Sequence, residues 1–216
     1  MFVRDSMTLN PVTITADTSV PDALRLMSEK KVRRLPVLDG HGRLVGIVSD
    51  KDLLHASPSP ATLLSVWEIP DILSKLKVEK VMATPVVTVG EDTPLEEAAL
   101  IMADRRIGGL PVMRDNELVG IITETDLFKV LLQLLGGRRS GVRISVAASG
   151  EKGTLARISN AIFNSGGDIV GLGVSELRAS GGNQWELLFK VQDVPKDRLV
   201  QVIEPLVDRI LDARET

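Results

Sequence analysis

The sequence predicts a mixed α+β / α/β chain: two copies of a β-α-β-β-α unit, then a separate βαββαβ unit. Three observations carry that reading. A stretch near the N-terminus recurs 75 residues later. Inside each copy the apolar spacing alternates between the strand period of about 2 and the helix period of about 3.6. The composition then breaks at the glycine- and arginine-rich segment 136–141, after which neither repeat continues.

The duplication is exact at many positions. Val3, Met7, Val12, Thr13, Asp17, Thr18, Ala23, Met27, Leu35, Pro36 and Val37 all recur at a shift of 75. One residue fewer in the turn changes the shift to 74, at which Leu44, Val45, Gly46, Ile47, Asp52 and Leu53 recur. A repeat of this kind fixes the architecture before any local reading is attempted.

Each copy opens on a short β segment, at 12–14 and 86–89. A helix follows, expected to start at Asp17-Thr18 and at Asp92-Thr93, with Thr93, Pro94 and Glu96 matching an N-cap, N1 and N3 pattern. Its apolar stripe is Val20, Ala23, Leu24 and Met27 in the first copy and Leu95, Ala98, Ala99 and Met102 in the second. Two β runs come next, 35–38 and 44–48, then 110–113 and 118–122, each pair joined by a polar turn. Asp52 and Asp126 open a second, shorter helix. Copy one thus occupies 1–56 and copy two 78–135. The intervening 57–77 begins Ser57-Pro58-Ser59-Pro60, which cannot continue a helix; its Trp67 either anchors the linker or belongs to a dimer interface. The segment 136–141 reads as a hinge. Beyond it, 142–216 gives a strand at 142–148, a helix with stripe Leu155, Ile158, Ser159 and Ile162, strands at 168–177 and 185–191, a helix at 195–206 and a last strand at 209–214. That is a ferredoxin-like order.

Composition narrows the function. The chain has 26 basic and 29 acidic residues, a net charge of −3, and only six aromatics, Phe 4 and Trp 2. A nucleic-acid binder needs a basic face and stacking platforms, so none is expected. No apolar run approaches the ~20 residues that span a bilayer, and Arg4 and Asp5 interrupt any signal-peptide core. A cytoplasmic location without membrane contact is expected. Cys 0 removes thiolate chemistry, and His41 and His55 stand at a turn and a helix end, both read as surface positions. Neither a metal site nor a catalytic centre is expected.

The repeated Asp motif carries the remaining chemistry. Ser49 and Asp52 lie three apart at a strand-to-helix junction, as do Thr123 and Asp126. A carboxylate there either caps the helix or chelates a vicinal diol such as ribose through charge-assisted bonds. The copies differ before the Leu-Pro step: Arg33-Arg34 in the first, Gly108-Gly109 in the second. Two guanidiniums suit phosphate oxygens; alternatively the pair ends the solvated run that starts at Lys30.

Those residues give the chain a resemblance. Leu35-Pro36-Val37 with Gly46-Ile47-Val48-Ser49-Asp50-Lys51-Asp52, and Leu110-Pro111-Val112 with Gly120-Ile121-Ile122-Thr123-Glu124-Thr125-Asp126, resemble a tandem CBS pair, or Bateman module. With Ser65-Val66-Trp67-Glu68, the chain is similar to the AcuB-like acetoin-utilisation proteins. The resemblance implies crossed clefts that hold an adenine nucleotide (AMP, ADP or ATP) as a regulatory ligand. One pocket would join Thr13, Ile14, Arg33, Arg34, Pro36, Thr123 and Asp126 and prefer a phosphorylated ligand. The other would join Ser49, Asp52, Thr88, Val89, Leu110 and Pro111, without a cation, and take a nucleoside or nothing.

The C-terminal part resembles an ACT domain through Gly153-Thr154-Leu155 and Gly166-Gly167-Asp168-Ile169. A ligand site there would use Gly153, Thr154, Asp168 and Ile169. Gly150 and Lys152 depart from the usual amino-acid-binding pattern, so the domain is either an amino-acid sensor or a dimerisation module. A non-catalytic, ligand-sensing homodimer is the reading that follows; the rival is a purely structural interaction module.

Overall fold

A computed structural model describes residues 1–56, 76–177 and 184–216. The linker positions 57–75, with Trp67 and the serine-proline run, and the turn at 180–183 lie outside the described residues. Two compact units divide between Leu127 and Phe128.

In the first unit, copy one contributes β2 (Ile14–Thr15), α1 (Val20–Lys30), β3 (Arg34–Leu38), β4 (Leu44–Ser49) and α2 (Asp50–Ala56), after β1 (Thr8–Leu9). Copy two contributes β5 (Val89–Gly90), α3 (Leu95–Arg105), β6 (Gly109–Arg114), β7 (Glu117–Thr123) and the start of α4 (Glu124–Leu134). The strand orders are β2-β3-β4 and β1-β7-β6-β5, so β1, from the lead-in segment of copy one, completes the sheet of copy two. The opening strands are shorter than the apolar runs 12–14 and 86–89 suggest. Only Ile14 and Thr15, and Val89 and Gly90, find parallel partners in β3 and β6.

The helical stripes bury as expected. Val20, Ala23 and Met27 are at most 4% exposed, and Leu95, Ala98 and Met102 at most 5%. The caps differ. Ser19, not Thr18, caps α1 by accepting from the Asp22 backbone N–H (3.2 Å). The equivalent position in copy two is Pro94, which has no hydroxyl, and α3 begins without a side-chain cap. The cap falls where the backbone turns from extended to helical, one residue later than the threonines.

The copies are interlocked. Val3 N–H donates to Thr93 O (2.9 Å) and Arg4 N–H to Glu91 O (2.9 Å); symmetrically, Val78 N–H donates to Thr18 O (2.9 Å) and Glu79 N–H to Ala16 O (2.9 Å). Val3 and Val78 are fully buried, and burial of such a side chain contributes about 1.5–3 kcal/mol. Each copy's lead-in segment is therefore part of the other copy's core.

In the second unit, β8 (Val142–Ser149), α5 (Thr154–Asn164), β9 (Asp168–Glu176), β10 (Gln184–Gln192), α6 (Lys196–Ile203) and β11 (Arg209–Glu215) follow in order. The sheet runs β11-β8-β10-β9, all antiparallel. Its core includes Val142, Ile144, Val146, Ile158, Ile162, Phe189, Leu199 and Ile203. The stripe of α5 is rotated from expectation: Thr154 is buried and Leu155 is 38% exposed. The unit starts upstream of the expected hinge because the chain is already docked there. A Cβ on Gly171 would lie 2.4 Å from the Leu135 carbonyl carbon, so that glycine is what lets the backbone at 135–136 lie on β9. Among the described residues, no helix is long and apolar enough to cross a membrane.

Candidate functional site

Antiparallel pairing of β3 with β4 sets Arg34 opposite Ser49, Leu35 opposite Val48 and Pro36 opposite Ile47. The chain then turns directly into α2, and the Ser49–Asp52 spacing closes on itself. Asp52 Oδ2 accepts from the Ser49 backbone N–H (2.9 Å) and hydroxyl (2.6 Å), while Ser49 Oγ accepts from Asp52 N–H (3.3 Å). This is a capping box. It leaves Asp52 exposed, with Oδ1 engaged by none of the described residues. The cap and the ligand roles are therefore compatible: one oxygen holds the turn, the other remains available.

Next to this motif is a cavity of about 540 Å³, within the range of small-molecule sites. Its floor from copy one is Ser49, Asp50, Lys51, Asp52 and His55, with Arg34 and Ile47 at the side. Its far wall comes from copy two: Ala83, Pro85, Val86 and Val87 ahead of β5, and Arg106 to Gly109 between α3 and β6.

The expected second cleft needs two corrections. It contains a cation, because Arg34 lines it. And Thr88, Val89, Leu110 and Pro111 do not line it; Val89 and Leu110 are core residues, 6% and 0% exposed. The strands bury Val89, Leu110 and Pro111, Thr88 is exposed ahead of β5, and the wall is instead the irregular backbone just upstream of each strand.

Gly108-Gly109 has a role that the sequence reading did not assign. A Cβ on Gly108 would lie 2.0 Å from Arg34 Nη2, and one on Gly109 would lie 3.1 Å from Arg34 Cδ. The glycine pair is the bed on which the other copy's arginine lies.

Around the second motif, Asp126 Oδ2 accepts from the Thr123 N–H (3.2 Å) and hydroxyl (2.6 Å), but Asp126 is 8% exposed. Arg33 Nη2 donates to Thr125 Oγ1 (3.3 Å). Both arginines reach copy two: Arg33 bonds Thr125 of the second motif, and the Arg34 guanidinium lies on Gly108 beside Glu124 Oε2 while also lining the cavity at the first motif. Of the other residues expected in the pocket with Asp126, Ile14 and Pro36 are buried. Thr13 is half-buried. Opposite Thr123, where the first copy has Arg34, stands Gly109.

Sequence reasoning missed Arg106, Lys51 and His55. Arg106 caps α3 with φ 55, as Lys31 caps α1 with φ 54. Neither is glycine or asparagine, the usual sign of a left-handed cap, so nothing marked the position.

In the second unit, Gly153 has φ 88 and precedes α5. Thr154 is buried, its hydroxyl accepting from Arg157 Nη2 (3.0 Å). Asp168 is exposed at the start of β9, and Ile169 is half-buried against the core.

The CBS-domain family model matches residues 3–59 and 78–133. A CBS domain-containing protein of Dictyostelium discoideum is 34% identical over 136 residues, 62% of this chain and 94% of that protein. The L-aspartate semialdehyde sulfurtransferase of Methanocaldococcus jannaschii is 29% identical over 139 residues, 64% of this chain but only 24% of the enzyme. Among solved structures, CBSX2 in complex with AMP is 37% identical, with TM-score 0.51 over 61% of this chain and 97% of that one. A CBS domain pair in complex with 5′-methylthioadenosine and S-adenosyl-L-methionine is 28% identical, with TM-score 0.52 over 64% and 98%. A putative acetoin utilization protein (AcuB) from Vibrio cholerae is 33% identical, with TM-score 0.52 over 64% and 95%.

Proposed function

The chain belongs to the CBS-domain family, and from that premise we propose that it is a non-catalytic regulatory protein whose Ser49–Asp52 cavity binds an adenine nucleotide. The observation that carries this reading is the exposed Asp52 at the edge of a cavity walled by both copies, with Arg34 beside it. Asp52 Oδ1 would accept from the ribose hydroxyls, and the Arg34 fork would meet phosphate oxygens. The complexes of similar proteins with AMP and with 5′-methylthioadenosine and S-adenosyl-L-methionine support an adenosine-containing ligand. The non-catalytic reading rests on a sequence without cysteine and with two histidines, His41 and His55. This proposal moves the favoured site from Asp126 to Asp52.

We read residues 142–216 as an ACT-like domain, supported by the β11-β8-β10-β9 order and Gly153 at the start of α5. It would serve dimerisation or amino-acid sensing through Gly153, Thr154, Asp168 and Ile169, in a protein of acetoin utilisation. The rival reading, a homodimeric interaction module, is favoured by one feature. Phe128, Leu131, Leu132 and Leu134 on α4 are 47–64% exposed, an apolar strip suited to a partner surface.

Calorimetric titration with AMP, ADP, ATP and S-adenosylmethionine tests the nucleotide reading. Binding of at least one in the micromolar range is expected, and silence across the whole panel overturns it in favour of the interaction module.

A further inference from the structure

We infer that the Ser49–Asp52 cavity selects adenosine ligands bearing two or more phosphates, with Arg106 of copy two and Lys51 of copy one joining Arg34 around the phosphate chain. The inference rests on the reading of this cavity as an adenosine site and specifies its ligand.

Three permanent cations line one cavity from three separate elements: Arg34 at the start of β3, Lys51 in the first turn of α2, and Arg106 at the C-terminal cap of α3. Among the described residues none of the three makes an ion pair, although Glu124 Oε2 stands near the Arg34 guanidinium beside Gly108. That contrasts with Arg4, Arg25, Arg43, Arg114, Arg143 and Arg214, each of which is paired with a carboxylate. Two carboxylates share the lining, each with one oxygen held locally: Asp50 Oδ1 accepts from Lys51 N–H (2.9 Å) and Asp52 Oδ2 from Ser49. Three cations against two carboxylates leave the lining net positive, and low-dielectric walls focus that potential. One phosphate monoester is satisfied by a single guanidinium fork. A second cation on the copy-one floor, Lys51, and a third on the far wall, Arg106, match an anion that extends across the cavity.

The charge also works against a ligand class. S-adenosylmethionine is a sulfonium cation, and placing it among three cations adds like-charge repulsion. Uncharged adenosine gains nothing from Arg106. The expected order of affinity is ATP and ADP above AMP, AMP above adenosine, and S-adenosylmethionine last.

The test is calorimetry on the full chain, wild type and Arg106→Ala, with adenosine, AMP, ATP and inorganic tripolyphosphate at low and high salt. ATP is expected to bind at least tenfold tighter than adenosine, with a gap that narrows at high salt. Arg106→Ala should weaken ATP and tripolyphosphate about tenfold and leave adenosine within twofold, and Arg106→Lys should recover part of the loss. Adenosine binding as tightly as ATP overturns the inference and leaves the adenosine site standing. Equal losses for adenosine and ATP in Arg106→Ala do the same, by showing a structural effect. If no adenosine compound binds, the site reading itself fails, and the inference fails with it.

Discussion

Arg34 stands opposite Ser49 in the β3–β4 ladder while its guanidinium lies over Gly108 of the other copy. One residue thus touches the Asp motif of its own repeat and fills the space left by a glycine of the other. Arg33, its neighbour, also crosses to copy two and bonds Thr125. Arg33 stands in the bend just before β3 and Arg34 opens the strand, so the two neighbours meet different residues of copy two.

Arg34→Ala should weaken binding of a phosphorylated adenosine ligand by about one to two decades, the loss of one charge-assisted contact at roughly 1.5–3 kcal/mol. Arg33→Ala should cost far less. Calorimetry of both variants with ADP checks this, and a larger loss for Arg33→Ala would contradict the placement of Arg34 at the cavity.

Gly108→Ala should act like a partial Arg34 deletion. The added methyl collides with the tips of two flexible side chains, Arg34 and Glu124, and not with backbone, so the fold should survive while the guanidinium moves. Expected is a melting temperature near wild type with ADP affinity reduced several-fold and adenosine affinity unchanged. An unchanged ADP affinity would show that the position of Arg34 over Gly108 is immaterial to binding.

Gly171→Ala should destabilise the second unit. The methyl would meet the Leu135 and Gly136 backbone at 2.4–2.6 Å, where no side chain can swing aside. Overpacking of this kind costs about 1–3 kcal/mol. Denaturant unfolding followed by the fluorescence of Trp185 on β10 would read it, and a midpoint equal to wild type would contradict the docking of 135–136 on β9.

Asp39 is held at a pKa of about 2, mainly by the Arg43 backbone N–H, then by the Arg43 side chain, against some desolvation, with the His41 N–H adding a smaller contribution. Oδ1 accepts from His41 N–H (2.9 Å) and Arg43 N–H (2.9 Å), and Oδ2 from Arg43 Nε (2.7 Å). The folded value lies below the unfolded one of about 3.9. The contribution of this turn to stability is therefore complete above about pH 4 and is lost as pH falls through about 2. An NMR titration of the Asp39 carboxyl should give a midpoint near 2; a midpoint near 3.9 would mean the turn is not formed in solution.

Much of this architecture was legible because it is local or repeated. Recurrence at 75 and then 74 residues marked the copies, and the stripes ending in Met27 and Met102 marked their helices. What was not legible is the register that places Arg34. Pairing outward from Leu38 and Leu44 without interruption would set Arg34 opposite Val48. A bulge between Val37 and Leu38 shifts the ladder by one residue and sets it opposite Ser49 instead. One residue of slip exchanges the faces of a strand, and no turn residue announced that bulge. The interlocking of Val3 with copy two and Val78 with copy one is likewise a long-range pairing, which periodicity within either copy does not encode. Trp67 and the serine-proline linker lie outside the described residues and keep their two sequence readings.

The central claim is that the ligand sits at Asp52 and not at Asp126, and ADP titration of Asp52→Ala beside Asp126→Ala tests it most directly. Asp52 is exposed at a cavity, whereas Asp126 is 8% exposed. Asp52→Ala should therefore lose about tenfold or more in ADP affinity with a modest change in melting temperature. Asp126→Ala should lower the melting temperature and retain ADP affinity within about threefold. A larger loss of affinity in Asp126→Ala than in Asp52→Ala, with both variants folded, would contradict the account.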